Sequence, residues 1–143
     1  MSIKLNGSQF IENLRRGVYA RLMPSPLGGV GVFAIRDIPA GINPFGEDDT
    51  DFEKIPLSEI RNDPEIPDAV KKYVEDICAM EGGYIYVPTC GLNNIDPSFF
   101  FNHSINPNMK AEDRGEYFTT LREIKSGEEL TVDYRPYNDD IAF

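Results

Sequence analysis

Residues 99–108 read FFFNHSINPN. Three phenylalanines lead directly into two amides, a serine and the single histidine of the chain, His103. Asn102 offers two hydrogen-bond donors and an acceptor, and His103 offers a donor and an acceptor. Such a set suits a zwitterionic ligand head and the edge of a heterocycle. It also suits a self-satisfied polar turn closed by Asn106-Pro107. Read alone, the stretch is first a turn, because an active site needs more groups than it supplies.

Two other segments carry comparable chemistry. In GGVGVFAIRDIPAG (28–41), Gly29 and Gly31 flank one residue ahead of an apolar, β-branched run. Glycine lets backbone groups approach a ligand with no Cβ in the way. The segment is not a dinucleotide fingerprint, since the third glycine is missing and a strand follows where a helix is needed. By itself it reads as a hairpin turn before it reads as a ligand loop. In IKSGEELTVDY (124–134), a turn leads into two acids, a short strand TVDY and Tyr134. Tyr134 either places its hydroxyl in a site or is a strand aromatic with its OH at the rim.

Composition bounds what these segments can do. A chain of 143 residues, 41% of them hydrophobic, is the size of one domain with one real core. No apolar run approaches the roughly 18 residues of a membrane helix. The N-terminus MSIKLNGSQFIENLRR lacks a signal-peptide core, so a cytoplasmic or nuclear, non-secreted location is the expectation. Two cysteines and one histidine cannot build a disulfide framework or a Cys/His zinc cluster. DDTD at 48–51 lacks the glycine and terminal glutamate of a calcium loop, so no metal site is expected. The net charge of −10, from 24 acids against 14 bases, opposes nucleic acid and permits a cationic partner. The same charge also serves plain solubility.

Along the chain, SQFIENLRR reads as a short helix, with capping-box spacing from Asn6 to Gln9 and a stop at Gly17. VYARLMP, VGVFAI and GYIYVPT read as strands. Pro39, Gly41 and Pro44 force turns, and 46–54 reads as a charged surface loop. Residues 57–80 read as helix in two pieces. The second carries Ala69, Val70, Tyr73, Val74, Ile77 and Cys78 on one face and ends at Gly82-Gly83. MKAEDRGEYFTTLREI reads as a hairpin turning at Asp113–Gly115. Many short strands with a helical insert give an α+β, mostly β chain. It has no internal repeat.

The order G-x-G-V-F-A, then N-H-S-x-x-P-N, then G-E-E-L-T-x-D-Y resembles the SET-domain family of protein lysine methyltransferases. The likeness covers most of residues 18–134. It implies a single β-clip-like SET domain over 1–143. N-terminal strands lie in 18–45, a variable insert in 46–85, the C-terminal motifs in 86–134 and a tail in 135–143. It implies several small sheets with a C-terminal pseudoknot, in which the segment ending at Tyr134 lies beside Asn102–Ser104. It also implies S-adenosylmethionine as cofactor and a lysine-containing protein, such as a histone tail, as substrate. Gly29, Val30, Gly31 and Val32 would border the cofactor, Asn102 would hold its methionine end, and His103 would meet the adenine edge through its backbone. Tyr137 or Phe143 would pack on the adenine. Tyr134 would be the catalytic tyrosine, and Tyr84, Tyr86, Phe101 and Val132 would line the lysine channel. Glu129 and Asp133 match acids that hold turns.

This chain departs from the family pattern at Ile105, where many members have cysteine, and at Val132, where some have an aromatic residue. Residues 135–143, after the tyrosine, hold no cysteine, so the expectation is a minimal SET domain without the family's cysteine-rich zinc segment. The alternative to an enzyme is a non-catalytic β-clip or SET-like module that binds a peptide or small ligand. A hydrolase using His103 and Ser104 is disfavoured, because adjacent residues rarely form a nucleophile–base pair.

Overall fold

The computed structural model describes residues 4–46 and 51–136. In chain order the elements are α1 (Gly7–Arg16), β1 (Ala20–Pro24), β2 (Val30–Ala34), β3 (Phe52–Pro56), α2 (Leu57–Arg61), α3 (Asp68–Ile77), β4 (Met80–Glu81), β5 (Tyr84–Pro88), β6 (Asn102–His103), β7 (Met109–Glu112), β8 (Tyr117–Thr120) and β9 (Glu129–Val132). Short 3₁₀ turns span Leu92–Asn94, Pro97–Phe100 and Asp113–Gly115. The result is mostly small sheets with few helices, the α+β class that the SET resemblance implies. Among the described residues, no helix is long and apolar enough to cross a membrane.

The described residues fall into two compact units, 4–46 with 96–133, and 51–95 with 134–136. The first holds a four-stranded sheet in the order β1-β2-β9-β6 and the β7–β8 hairpin. β1, β2 and β9 pair antiparallel, with Leu22 opposite Val32 and Val32 opposite Leu130. β6 joins β9 in parallel, with Asn102 beside Thr131 and His103 beside Val132. Ser104 N–H extends the pairing to the Val132 carbonyl at 2.9 Å. The third motif thus lies beside the second. Val32, Ile38, Met109, Ile124, Leu130 and Val132 are fully buried beneath this arrangement. Each contributes roughly 1.5–3 kcal/mol of apolar transfer.

Helix α1 starts where expected. The Asn6 side chain accepts from Gln9 N–H, and Gln9 reaches back to Asn6 N–H, both at 2.9 Å. At its other end the Arg36 guanidinium donates to the carbonyls of Arg15 and Leu14, at 2.6 and 2.9 Å. Those carbonyls have no partner within the helix, so Arg36 completes its last turn.

The second unit holds the sheet β3-β5-β4, with α2 and α3 between β3 and β4 in the chain. Its core is Leu57, Val74, Cys78, Met80 and Ile85. Three sequence expectations change here. The charged loop over 46–54 gives way at its end to β3, which pairs residue for residue with β5 from Phe52↔Pro88 to Pro56↔Tyr84. The polar Glu53 and Lys54 hide this strand from periodicity. The helix stops at Ile77 and does not run to the glycines, because Cys78 is already extended (ψ 142°) and carries the chain into β4. Gly82 and Gly83, with φ of 61° and 81°, form the two-residue turn of the β4–β5 hairpin. Of the apolar face assigned to α3, only Val74 and Cys78 are buried, while Ala69, Val70 and Tyr73 stay exposed.

In the first unit the phenylalanine run is not a strand. Phe99 and Phe100 lie in the 3₁₀ turn, where Asp96 accepts from Ser98 N–H at 2.8 Å, so strand alternation does not apply to them. TVDY shifts as well. The strand is Glu129–Val132: the Gly127 turn (φ 95°) sets its start opposite Phe33 of β2, and its ladder with β6 stops at Val132, before Asp133. Just before it, the Arg122 guanidinium and the Lys125 N–H hold the Glu128 carboxyl below its usual range.

Asn108, the last residue of the second motif, fixes β9 from outside the ladder. It is 5% exposed, donates to the Glu129 carbonyl at 2.8 Å and accepts from Thr131 N–H at 2.9 Å. Asn108→Ala leaves both backbone groups without that partner, at a cost of roughly 2–4 kcal/mol. Urea unfolding of the two proteins measures this, and a loss below the error of the fit would remove Asn108 as the clip.

Burial pushes the Cys78 thiol up to about 12. Cys90 is only partly buried. In the native protein at pH 8, iodoacetamide should label Cys90 and spare Cys78, whereas in urea both should react. The unfolded thiol ionises above its ordinary value of 9.0 while the folded one stays protonated. Cys78 therefore contributes stability below that value that is lost as pH rises from about 9 towards 12. Equal labelling of both cysteines in the native state would contradict the burial.

Candidate functional site

The Gly28–Gly31 segment is the turn between β1 and β2 and the start of β2. Gly28 and Gly29 take φ of 122° and 57°, which side chains resist, and a Cβ at either would meet nothing within 4 Å. The turn is closed by Ser25 N–H to the Gly29 carbonyl at 2.9 Å and Gly28 N–H to the Ser25 carbonyl at 3.1 Å. These two glycines therefore answer a conformational need and leave open backbone around them.

Gly31 answers a different need. A Cβ there would overlap Glu129 Oε2 and stand 3.0 Å from Asn102 Nδ2. Glu129 is opposite Phe33 in the β2–β9 ladder, and Gly31 lies two residues from Phe33 on the same face. The glutamate side chain runs across that diagonal into the space the missing Cβ leaves. The close approach allowed at Gly31 is filled by protein.

Three motifs meet at this carboxylate. Asn102 Nδ2 donates to Glu129 Oε2 at 2.7 Å and to the Val30 carbonyl at 3.1 Å. Ser25 Oγ donates to Glu129 Oε1 at 2.7 Å. The first motif is thus tied to the second through Asn102, and the turn that leads into it is tied to the third through Ser25 and Glu129. A charge-assisted bond of this kind is worth about twice a neutral one. Asn102 and His103 are half-buried, and Val30 is exposed. A cofactor head placed here would meet open turn backbone and the amide of Asn102, so the residues present fit the expected group.

The remaining sequence-assigned residues fall as follows. Val32 is fully buried between Leu22 and Leu130, so its side chain belongs to the core. His103 Nδ1 stands 3.8 Å from Asp133 Oδ1, an ion pair when the imidazole is protonated. Phe101 is 3% exposed and packs against Phe118 edge-on at 5.0 Å and Phe45 at 6.0 Å. Val132 is fully buried in β9. Within the second unit, Tyr84 is exposed with Lys54 Nζ 4.5 Å from its ring centre, and Tyr86 is half-buried in β5. Tyr134 is half-buried and follows Asp133 directly. Tyr137 and Phe143 lie outside the described residues. Among the described residues, no group of three or more His, Cys, Asp or Glu is placed to share a metal ion.

Sequence reasoning missed Ser25 altogether and gave Glu129 only a turn-holding task. The usable signal was Glu129 placed in a strand next to a residue lacking Cβ. That signal needs the β2–β9 register, which local sequence does not contain.

With this geometry in place, the comparisons with known proteins are specific. The family model for the SET domain matches residues 29–135. A Plasmodium falciparum protein assigned as a histone methyltransferase superposes with a TM-score of 0.51 at 19% identity, covering 82% of this chain and 93% of that one. A humanized mutant of the Chaetomium thermophilum Polycomb Repressive Complex 2, bound to the inhibitor GSK126, superposes with a TM-score of 0.55 at 20% identity. That match covers 87% of this chain and 16% of the larger one. At such identities the likeness speaks for the fold. No curated protein sequence matches. The extent of the family match, over three motifs that meet at Glu129, shows that the chain belongs to the SET-domain family.

Proposed function

We propose that the chain is an S-adenosylmethionine-dependent protein lysine N-methyltransferase acting on a lysine-rich protein tail, such as that of a histone. The observation that carries this reading is the Asn102 amide bonded to both Val30 and Glu129, which joins the first motif, the second motif and the Glu129 end of the third. The family match and the fold of the solved relatives support it.

When bound, S-adenosylmethionine supplies a methyl group made electrophilic by a sulfonium. Asn102 and the Gly28–Gly31 turn hold the cofactor's amino-acid end, and the backbone around His103 borders its adenine. Tyr134 is the catalytic residue in this reading, and its hydroxyl orients the incoming lysine amine. The reaction needs a neutral amine in line with the methyl group, and alignment alone removes much of the barrier. No strong base is required, because a nearby cation and apolar walls both lower an ammonium pKa. The proton leaves with water. The net charge of −10 draws basic peptides to the protein before they bind.

Tyr134→Phe should lower turnover by about a hundredfold, the scale of losing one well-placed donor. Cofactor affinity and melting temperature should stay at wild-type values. Labelled S-adenosylmethionine with a panel of histones, read by mass spectrometry, tests both the activity and the variant. Undiminished turnover would reject Tyr134. Peptide binding with no methyl transfer would favour the binding-module reading.

Methylation of a basic peptide should also slow as salt rises past about 0.1 M, where exposed charges more than ~10 Å apart are screened. Rates across a salt series check this, and a flat profile would remove the role of the acidic surface.

A further inference from the structure

We propose that Glu129 is a positioning residue that fixes which end of the Asn102 amide faces the ligand, so that the site selects an ammonium over a carboxylate. The proposal rests on the reading of Asn102 and the Gly28–Gly31 turn as the cofactor's amino-acid site.

The two ends of a primary amide are nearly the same size, so hydrogen-bond partners decide its orientation. Both Nδ2 protons of Asn102 go to groups that can only accept, the Val30 carbonyl and Glu129 Oε2. Turning the amide over would set Oδ1 against two acceptors and lose both bonds. The carboxylate itself cannot swing away easily. Ser25 Oγ holds its other oxygen at 2.7 Å, and the carboxylate occupies the space where a Cβ at Gly31 would stand.

With both donors committed, the hydrogen-bonding position left on the amide is the Oδ1 acceptor. An acceptor binds an N–H donor and repels a carboxylate. The negative charge bonded to the same amide favours a cation further. The group taken here is therefore the α-ammonium of an amino-acid head. Glu129 does this without touching the ligand, so its effect passes entirely through Asn102.

Calorimetry should compare S-adenosylmethionine with an analogue lacking the α-amino group, on the wild type, Glu129→Ala, Glu129→Gln and Ser25→Ala, with melting temperatures recorded. The wild type should prefer the amine by about ten- to a hundredfold, the scale of a hydrogen bond to a charged group. Glu129→Ala frees the amide to turn, and the preference should fall to within a few-fold. Glu129→Gln retains an acceptor for Nδ2 and should restore most of it. Full preference in a folded Glu129→Ala protein would overturn the proposal. If that variant does not fold, Ser25→Ala decides. It releases the other carboxylate oxygen and should weaken the preference, and an unchanged value would overturn the proposal.

A ligand-free measurement separates this idea from the function it rests on. The side-chain amide NMR signals of Asn102 should shift in Glu129→Gln, and signals that stay put would overturn the tether. Failure of the wild type to bind either compound would overturn the cofactor reading and the ligand preference with it, while the amide signals still decide the tether.

Discussion

Two strands that run in the same direction cannot be joined by a tight turn, and β6 and β9 are such a pair. The chain must leave His103, travel through residues 104–128 and return alongside itself. It does so through the β7–β8 hairpin and the turn at Gly127. Asn102 meets Glu129, and His103 lies beside Val132, only because this return closes. The pairing is two residues long in each strand, too short to rely on ladder bonds alone. Asn108 supplies what the ladder lacks, with two bonds from a single buried side chain to the backbone of β9. A motif asparagine that looks like part of a polar turn is therefore a fastener for the strand that carries the site.

Glu128 and Glu129 are neighbours of the same chemistry with different partners. Successive strand residues point to opposite faces, so the pair divides as soon as β9 begins. Glu128 turns to the exposed Arg122 guanidinium at 2.8 Å and closes the preceding turn onto Lys125 N–H at 3.0 Å. Glu129 turns inward to Ser25 and Asn102. The first bond is at the surface, where such pairs add little stability. The second is partly buried, joins residues 104 positions apart on one side and 27 on the other, and sets an orientation as well as an energy. The net charge of the chain says nothing about this split. One acid is part of a solvated surface and the other is an internal tie.

What was legible in the sequence was whatever is decided locally. The capping box at Asn6 and Gln9 fixes the start of α1, and the Asp113–Gly115 turn fixes the β7–β8 hairpin, because each needs only a few adjacent residues. Each of the three motifs is likewise a short run of adjacent residues, and their order marks the family. β3 was hidden because its polar residues pair with a strand more than 30 positions later, and no local pattern reports that. Gly82-Gly83 reads in sequence as a helix stop and is a hairpin turn. Both uses need positive φ, and only the pairing of Met80 with Ile85 separates them. The buried part of the α3 face is narrower than its apolar spacing, since helical spacing marks which residues share a side but not how much of that side is covered. Phe101 belongs to an aromatic cluster with Phe45 and Phe118, partners that spacing along 99–101 cannot disclose.

Gly31 shows why the site itself was only half legible. A glycine in a short motif can mean that a ligand comes close or that another part of the protein does, and the two leave the same mark in sequence. At Gly29 the backbone conformation requires glycine, and the space around it is open. At Gly31 the conformation is ordinary strand, and the space is taken by Glu129. One motif therefore holds a glycine kept for a turn and a glycine kept for a carboxylate about a hundred residues away. Asn102 stands between these cases, since its two donor hydrogens serve the protein and its acceptor meets no protein donor among the described residues. The chemistry such a residue offers to a ligand is what remains after the fold has used the rest. It can be stated only after the fold's share has been subtracted.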